Sequence, residues 1–521
     1  MSLDRARARP AWAVLSAAAA LQLALHAASV GRYGIFRDEL YYLACARHPA
    51  AGYVDQPAFS ILFLAVWRAV FGDSAAALMV PPALCGAAVV VLTGLLARRF
   101  GGGAAAQGLA ALVAAVSPAW LGLTGYYSMN AFDVLLWTLA ATLLAAILEE
   151  EPGLRAARLW LLLGLVLALG LLNKISVLWL AFGIAAGLVL TPARRWLGTT
   201  GPWLAGGIAA LGLAPYVLWN WAHGWATLEF MRRAAAEKYV PSSPLTFARD
   251  LVLFFHPLAA PVWIAGLAWL LAARDGRSFR PLGVVFLATL GILLANRTSK
   301  AEYLAASFAP LLAAGGVAAG RLLHRGRRAA PAIAYAAVLL ATGVGLAPLA
   351  IPLLSPETFA LYAGRLGIGA PATERYEKGV LPQHFADRFG WPEMAAEVAR
   401  VAGRLSEAER KTARVWARNY GEAAAVERYG ALLGAPKVLC PHNSYWLWSV
   451  ADAKRIAPFK GPLVVIGGRR ETLTSVFERV EEAGRTGHPL AMPYENGRPI
   501  WICRDPKEPL EGVLMRDRLF I

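Results

Sequence analysis

The chain has 521 residues, of which 58% are hydrophobic and only 16% charged, with a mean hydropathy of +0.48 and a formal net charge of +17. A soluble domain carries about 25% charged residues, so this balance excludes an ordinary soluble protein and describes one that crosses a membrane repeatedly. The basic excess falls in short Arg clusters between apolar runs, which is the pattern of loops retained on the cytoplasmic side; no nucleic-acid partner is expected.

The first apolar run, 11–30, follows a basic start containing Arg5, Arg7 and Arg9. It is long enough to span a bilayer. No small-residue cleavage site precedes the polar stretch that follows, so it reads as a retained first span. That polar stretch, 37–57, reads RDELYYLACARHPAAGYVDQP and places Asp38, Glu39 and Asp55 in one loop. Residues 59–71 are apolar but short, as in a juxtamembrane or re-entrant helix. Further spans are expected near 75–97, 104–123, 131–148, 157–172, 175–190, 203–221, 247–272, 281–295, 304–320 and 331–351, about eleven in all.

With the N-terminus inside, the loops holding Arg98 and Arg99, Arg194 and Arg195, Arg274, Arg277 and Arg280, and the run RLLHRGRR all fall inside. The loops and junctions richest in other polar groups fall outside: 37–57, 126–133, 173–174, 223–244 and 296–303. An odd span count puts the remainder of the chain outside as well. The domain organisation expected is therefore a membrane domain over 1–354, with its first outer loop at 31–74, and an extracytoplasmic domain over 355–521.

From about residue 355 the composition changes. WPEMAAEVARVAGRL has helical apolar spacing, TARVWARNY reads as a strand and GEAAAVERYG as a helix. KVLCPHNSYWLW and PLVVIGG read as strands, followed by a helix near 472–483 and the strand PIWICR. Alternation of this kind predicts a small α/β domain. Cys440 and Cys503 both lie in it, and an extracytoplasmic location permits a disulfide between them. No P-loop, glycine-rich nucleotide fingerprint, metal-type Cys spacing or internal repeat is present.

Ionisable groups at the end of a span are costly when turned toward lipid and mark a site by default. Asp38 and Glu39 can be solvated interfacial acids, or they can join Asp55 in facing one cavity. In the second case one carboxylate serves as general base on an acceptor hydroxyl and another offers hard oxygens to a divalent cation. Asn130 and Asp133, three apart in YYSMNAFD, share one helix face. Asn130 alone would serve as a cap, but Asp133 lies nearly a turn deeper. Asn173 and Lys174 form a tight junction, where Lys174 either snorkels or meets an anion. NRTSKAEY gathers Arg297, Lys300, Glu302 and Tyr303 at another outer junction, a donor set suited to a phosphate at headgroup level. His256, in FFHPL, has the surroundings of a satisfied buried histidine.

RDELYY, YVDQP and YSMNAFD, in this order on a polytopic scaffold, resemble the family 39 glycosyltransferases, membrane enzymes of GT-C type that include aminoarabinose transferases and protein O-mannosyltransferases. The resemblance covers roughly residues 10–350. It implies a polytopic α-helical fold with a small extracytoplasmic α/β domain, Asp38 as the catalytic carboxylate with Glu39 supporting it, and Asp55 as a second acidic point. It implies Lys174, Lys300 and Tyr303 near a lipid phosphate; Arg37, Gln56, Asn130, Asp133, Asn173, His256, Arg297 and Glu302 are the further residues expected around the substrates. A divalent metal ion at Asp55 and Asn130 is a further expectation. The aminoarabinose transferases carry Lys where this chain has Gln56 and Asp where it has Asn130.

The function implied is transfer of a sugar from a polyprenyl-phosphate donor to an envelope acceptor (lipid, glycan or protein) on the outer face of a bacterial inner membrane. Membrane lipids are the remaining partners. The alternative is a transporter or flippase of a lipid-linked sugar, for which internal repeats and broken helices are the expected signs. A receptor with anchoring spans leaves the clustered acids without a role.

Overall fold

The computed structural model describes residues 9–324, 329–367, 375, 377 and 379–521. Arg5 and Arg7, and three of the arginines of RLLHRGRR (325, 327 and 328), lie outside the described residues. The chain forms two compact units that interleave in sequence. One contains the residues up to Arg32, Ser74–Leu218 and Pro241–Leu354; the other contains Tyr33–Asp73, Trp219–Val240 and Ser355–Ile521. The stretch carrying Asp38 and Asp55 thus belongs to the unit built mainly from the last third of the chain.

The first unit is helical. Among the described residues of the chain, 7 helices are long and apolar enough to cross a membrane: Trp12–Ser29, Ala75–Arg99, Met129–Leu148, Leu154–Asn173, Gly201–Ala222, Arg277–Ala295 and Ala330–Leu349. Three further pairs bring the count up to 10 if each is one span. These are Val177–Leu190 with Pro192–Gly198, bent by 104°; Pro244–Phe254 with Pro257–Ala272, by 96°; and Ala301–Ser307 with Ala309–Arg321, by 67°. The expected eleventh, near 104–123, is instead two helices, Ala104–Val116 and Pro118–Leu123. Ser117 is extended and Pro118 begins the second helix, as expected where proline cannot continue the hydrogen-bond ladder. Broken helices are therefore present, contrary to the sequence reading. They arise at Pro192, just past the apolar run 175–190, and at Pro257 and near Pro310, inside the runs 247–272 and 304–320.

Close helix contact in this unit relies on small residues, as in membrane bundles generally. A side chain at Gly266 would fall on the Leu311 carbonyl, and one at Gly315 on that of Val262.

The second unit contains a five-stranded sheet, β1 (Arg414–Trp416), β2 (Val438–Leu439), β3 (Leu463–Ile466), β4 (Phe477–Arg485) and β5 (Pro499–Pro506), in the order β2-β1-β3-β5-β4. β1 is parallel to β2 and β3, while β5 is antiparallel to β3 and β4. Val415 is fully buried in β1 and pairs with Val438 and Val464. The helices Trp391–Ala402, Tyr420–Ala425 and Asn443–Arg455 accompany the sheet.

Two assignments differ from the sequence reading. In KVLCPHNSYWLW only Val438–Leu439 is strand, and Asn443 begins a 13-residue helix whose periodicity becomes clear only over its full length. Near 472–483 a helix was expected, but it ends at Val476 and β4 follows. β4 is an edge strand carrying Glu478, Arg479, Glu481 and Glu482. Charge protects such an edge from pairing with another chain and hides it in composition.

Cys440 and Cys503 are separate buried thiols, as are Cys45 and Cys85. Cys440 follows β2 and Cys503 lies in β5, with β1 and β3 between. Three strand spacings, about 14 Å, exceed the reach of a disulfide.

Candidate active site

The acid group begins with the helix Arg37–Arg47, where a loop was expected. Acids in a first turn favour helix formation. Glu39 accepts a hydrogen bond from the Phe36 backbone N–H at 3.0 Å, which is half of a capping box. Glu39 is buried, and this bond ties it to the start of its own helix.

Asp38 points differently. Its Oδ1 accepts from the Tyr420 hydroxyl at 2.9 Å and lies 3.7 Å from Arg37 Nε. Its side chain is 36% exposed. Arg37, at 14%, is held from behind: Nη1 donates to the Tyr494 hydroxyl at 2.7 Å and Nη2 lies 3.4 Å from Asp387 Oδ2. The Tyr494 hydroxyl in turn donates to Asp387 Oδ1 at 3.1 Å. The Arg37 guanidinium also lies 5.4 Å from the centre of the Tyr420 ring, within cation–π range.

Asp55 sits in the turn closed by the Tyr53 N–H to Gln56 carbonyl bond of 2.9 Å and the Gly52–Pro57 bridge. Its Oδ1 accepts from the Tyr41 hydroxyl at 3.0 Å, and that hydroxyl accepts from the Ser444 N–H at 3.2 Å. Ser444 Oγ accepts from the Val54 N–H at 3.2 Å. Burial pushes Asp55 up to about 6, with the Tyr41 bond pulling the other way. Gln56 is buried, and neither polar atom of its amide has a hydrogen-bond partner among the described residues. Unmatched buried groups of this kind cost about 1–3 kcal/mol, which a ligand able to pair with them offsets.

The basic group lies in the first unit. Ser128 caps the helix Met129–Leu148 by accepting from the Asn130 N–H. One turn on, Asp133 takes Ser176 Oγ at 3.2 and 3.1 Å on its two oxygens. Lys174, just past the end of the helix Leu154–Asn173, donates to Asn130 Oδ1 at 2.8 Å and lies 3.3 Å from Asp133 Oδ2. Asn173 Nδ2 donates to the Met129 carbonyl at 2.9 Å. The Tyr303 ring lies 5.6 Å from the Lys174 ammonium. Three junctions distant in sequence thus meet at Lys174. Asp133 is buried together with a cation and a hydroxyl, which is how membrane proteins retain such groups.

Arg297 is exposed, and Lys300 and Glu302 are half-buried in the same 296–307 segment as Tyr303. His256 is placed elsewhere, at the 96° bend before Pro257. It is buried, its φ is +81°, and its Nε2 lies 3.0 Å from Thr342 Oγ1. It is a buried histidine apart from the Lys174 group, with Nε2 paired and Nδ1 without a hydrogen-bond partner among the described residues.

Asp55 and Asn130 belong to different units. Among the described residues no three His, Cys, Asp or Glu side chains gather as metal ligands, and one oxygen of Asp55 is already engaged by Tyr41. A hard divalent cation takes six or more oxygen ligands. The side chains around Asp55 and Asn130 do not make up such a ligand set.

Tyr41, Tyr420, Ser444, Asp387 and Tyr494 were not singled out in the sequence. Tyr41 could have been, since it lies within RDELYY. The others carry no local signal, because their partners are hundreds of residues away.

A bundle of membrane-length helices with an acid-bearing helix after the first span and a small α/β domain is the architecture of GT-C-type membrane glycosyltransferases. The fold is similar to that of ArnT from Cupriavidus metallidurans bound to undecaprenyl phosphate, with a TM-score of 0.60 and 14% identity over 95% of this chain and 98% of that one. The apo state of the same protein gives 0.57 and 15% over 94% and 97%. The archaeal oligosaccharyltransferase AglB from Archaeoglobus fulgidus, in complex with an inhibitory peptide and a dolichol-phosphate, gives 0.50 and 14% over 88% and 69%. Residues 55–219 match the dolichyl-phosphate-mannose-protein mannosyltransferase family. No curated protein matches the sequence. The GT-C fold implied by RDELYY, YVDQP and YSMNAFD is thus the fold of the chain, and the family match spans YSMNAFD but begins at Asp55, after RDELYY.

Proposed function

We propose that the protein transfers a glycosyl group, a hexose or a pentose, from a polyprenyl-phosphate donor to a hydroxyl-bearing envelope acceptor. The observation that carries this reading is the state of Asp38 within this fold. One carboxylate oxygen is held by Tyr420 and Arg37, and the side chain is more than a third exposed. The Oδ2 atom has no protein partner among the described residues, which suits a general base on an incoming hydroxyl. The reaction is a single displacement: the acceptor oxygen bonds to the anomeric carbon, its proton passes to Asp38, and the bond to the lipid phosphate breaks. The phosphate is a competent leaving group that gains charge as it departs, and Lys174 with Lys300 supplies cationic donors for it. The Gln56 amide, with donor and acceptor atoms both free, suits a sugar hydroxyl pair.

The test is Asp38→Asn, which removes the base and keeps the shape. Loss of about 10²- to 10⁴-fold in transfer is expected, with unchanged insertion and thermal midpoint. Near-normal turnover would sink the assignment. The Arg clusters on alternate loops support an orientation with the N-terminus in the cytoplasm and residues 355–521 outside, in the inner membrane of a bacterium. A reporter active only in the cytoplasm, fused after Ile521, should stay silent; a bright signal overturns this orientation.

The three bent helix pairs favour one second reading, a flippase of a lipid-linked sugar, since broken helices are common in transporters. Cleavage of the donor separates the two.

A further inference from the structure

The residues that hold the two acids come from the carboxyl ends of adjacent parallel strands. Tyr420 follows β1 and Ser444 follows β2, and these strands pair in register. Open α/β sheets bind their ligands at that edge. In this domain the same edge carries the hydrogen bonds to the stretch with Asp38 and Asp55.

Tyr420 is held from several sides at the start of its helix. Asn419 caps the helix Tyr420–Ala425, accepting from the Gly421 and Glu422 N–H groups at 2.9 and 3.1 Å. The Asn419 amide is itself anchored by donating to Glu495 Oε1 at 2.9 Å. Glu495 and Glu422 share Arg418, so the turn rests on a buried ionic cluster. The Tyr420 ring is buried, with the Tyr41 ring 4.7 Å away and the Arg37 guanidinium 5.4 Å away. Gly421 permits this approach, because a Cβ there would meet Arg37 Cγ at 2.6 Å. The hydroxyl of this immobilised ring donates to Asp38 Oδ1. Arg37 lies nearest the same oxygen, so the carboxylate is oriented with Oδ2 outward.

We propose that the C-terminal α/β domain is part of the catalytic apparatus, and that Tyr420 is a positioning residue that aims the Asp38 carboxylate at the acceptor hydroxyl. This rests on the reading of Asp38 as the base. A rotating carboxylate spends its time in unproductive orientations, and small misplacements of a reacting group are costly in rate. The binding of the lipid donor does not depend on that orientation, so the effect falls on kcat.

The experiment compares Tyr420→Phe, Tyr445→Phe and Asp38→Asn in the full-length reconstituted protein. The probe is whichever undecaprenyl-phosphate-linked hexose or pentose the parent cleaves. Tyr445 is the control, since its hydroxyl also donates to a carboxylate of this domain, Glu427 Oε2 at 3.0 Å, and not to Asp38, although its ring lies 6.2 Å from that of Tyr41. Tyr420→Phe should lower kcat about ten- to a hundredfold with donor KM within about twofold and an unchanged thermal midpoint. Tyr445→Phe should stay close to the parent. Parental kcat in Tyr420→Phe, or an equal fall in both tyrosine variants, overturns the proposal while leaving Asp38 as base if Asp38→Asn is inactive. A fully active Asp38→Asn removes the reading beneath it and the proposal together.

Discussion

The two polar groups of this protein solve the same problem in different ways. In the helical unit, Asp133 is paired with a cation, Lys174, and the charges cancel inside an apolar bundle. In the other unit, Asp38 and Asp55 each take a tyrosine hydroxyl, and the Arg37 guanidinium lies 3.7 Å from Asp38. Burying a charge pair is acceptable where each ion compensates the other, and removing one partner then costs several kcal/mol. Hydroxyl donors orient a carboxylate without supplying a counter-charge. The first arrangement serves stability and anion contact; the second fixes the direction in which each acid points.

The sharpest way to break this contrast is at Lys174. Lys174→Met leaves Asp133 buried without its cation, and a loss of about 3 kcal/mol is expected, read as a lower unfolding midpoint in detergent. Adding Asp133→Asn should recover most of that stability, because an amide needs no counter-charge. The donor KM should stay raised about tenfold in both variants if Lys174 also meets the lipid phosphate. Recovery of both stability and KM in the double variant would confine Lys174 to balancing Asp133.

Such a pairing was partly legible in the sequence. Asn130 and Asp133 are one turn apart, Lys174 lies at a span junction, and each stands out against an apolar background. Hydropathy locates such residues because lipid makes every exception visible. The acid site was only half legible. Asp38 and Asp55 stood out for the same reason, but the Tyr420–Asp38 and Ser444–Tyr41 contacts join residues 382 and 403 apart. Nothing local in RNYGE or PHNSYW distinguishes a tyrosine or serine that holds a distant acid from one that packs. The bend at Pro257 was missed because the apolar run 247–272 continues through it, and the helix after Pro192 was missed because the Arg194–Arg195 cluster reads as a plain loop.

A smaller effect is expected at Tyr41. Asp55 stands at about 6 against an ordinary 3.8, so the folded state holds the extra proton between those values. Stability from this group is therefore fully present below pH 4 and lost as the pH rises through 6. Tyr41→Phe removes the bond that pulls Asp55 down, extending the loss to higher pH. Unfolding midpoints measured from pH 4 to 8 should fall further in the variant than in the parent. Parallel curves would show that the hydroxyl does not tune Asp55.

The smallest effect is expected at Glu39. Glu39→Gln keeps an oxygen for the Phe36 N–H, so kcat should stay within about threefold of the parent. Glu39→Ala should cost about 1 kcal/mol of stability through the lost cap. A hundredfold fall in kcat for the Gln variant would instead make Glu39 a reacting acid, and the two units' division of roles would need redrawing.

The most direct measurement reconstitutes the parent and Asp38→Asn in liposomes containing undecaprenyl-phosphate-linked sugars, with an envelope extract as acceptor source. Free undecaprenyl phosphate and donor sidedness are followed together. The account predicts that the parent releases undecaprenyl phosphate as the sugar joins an acceptor, and that Asp38→Asn does not. Transbilayer movement of intact donor without release, equal in both proteins, would contradict it and make the bent helices those of a flippase.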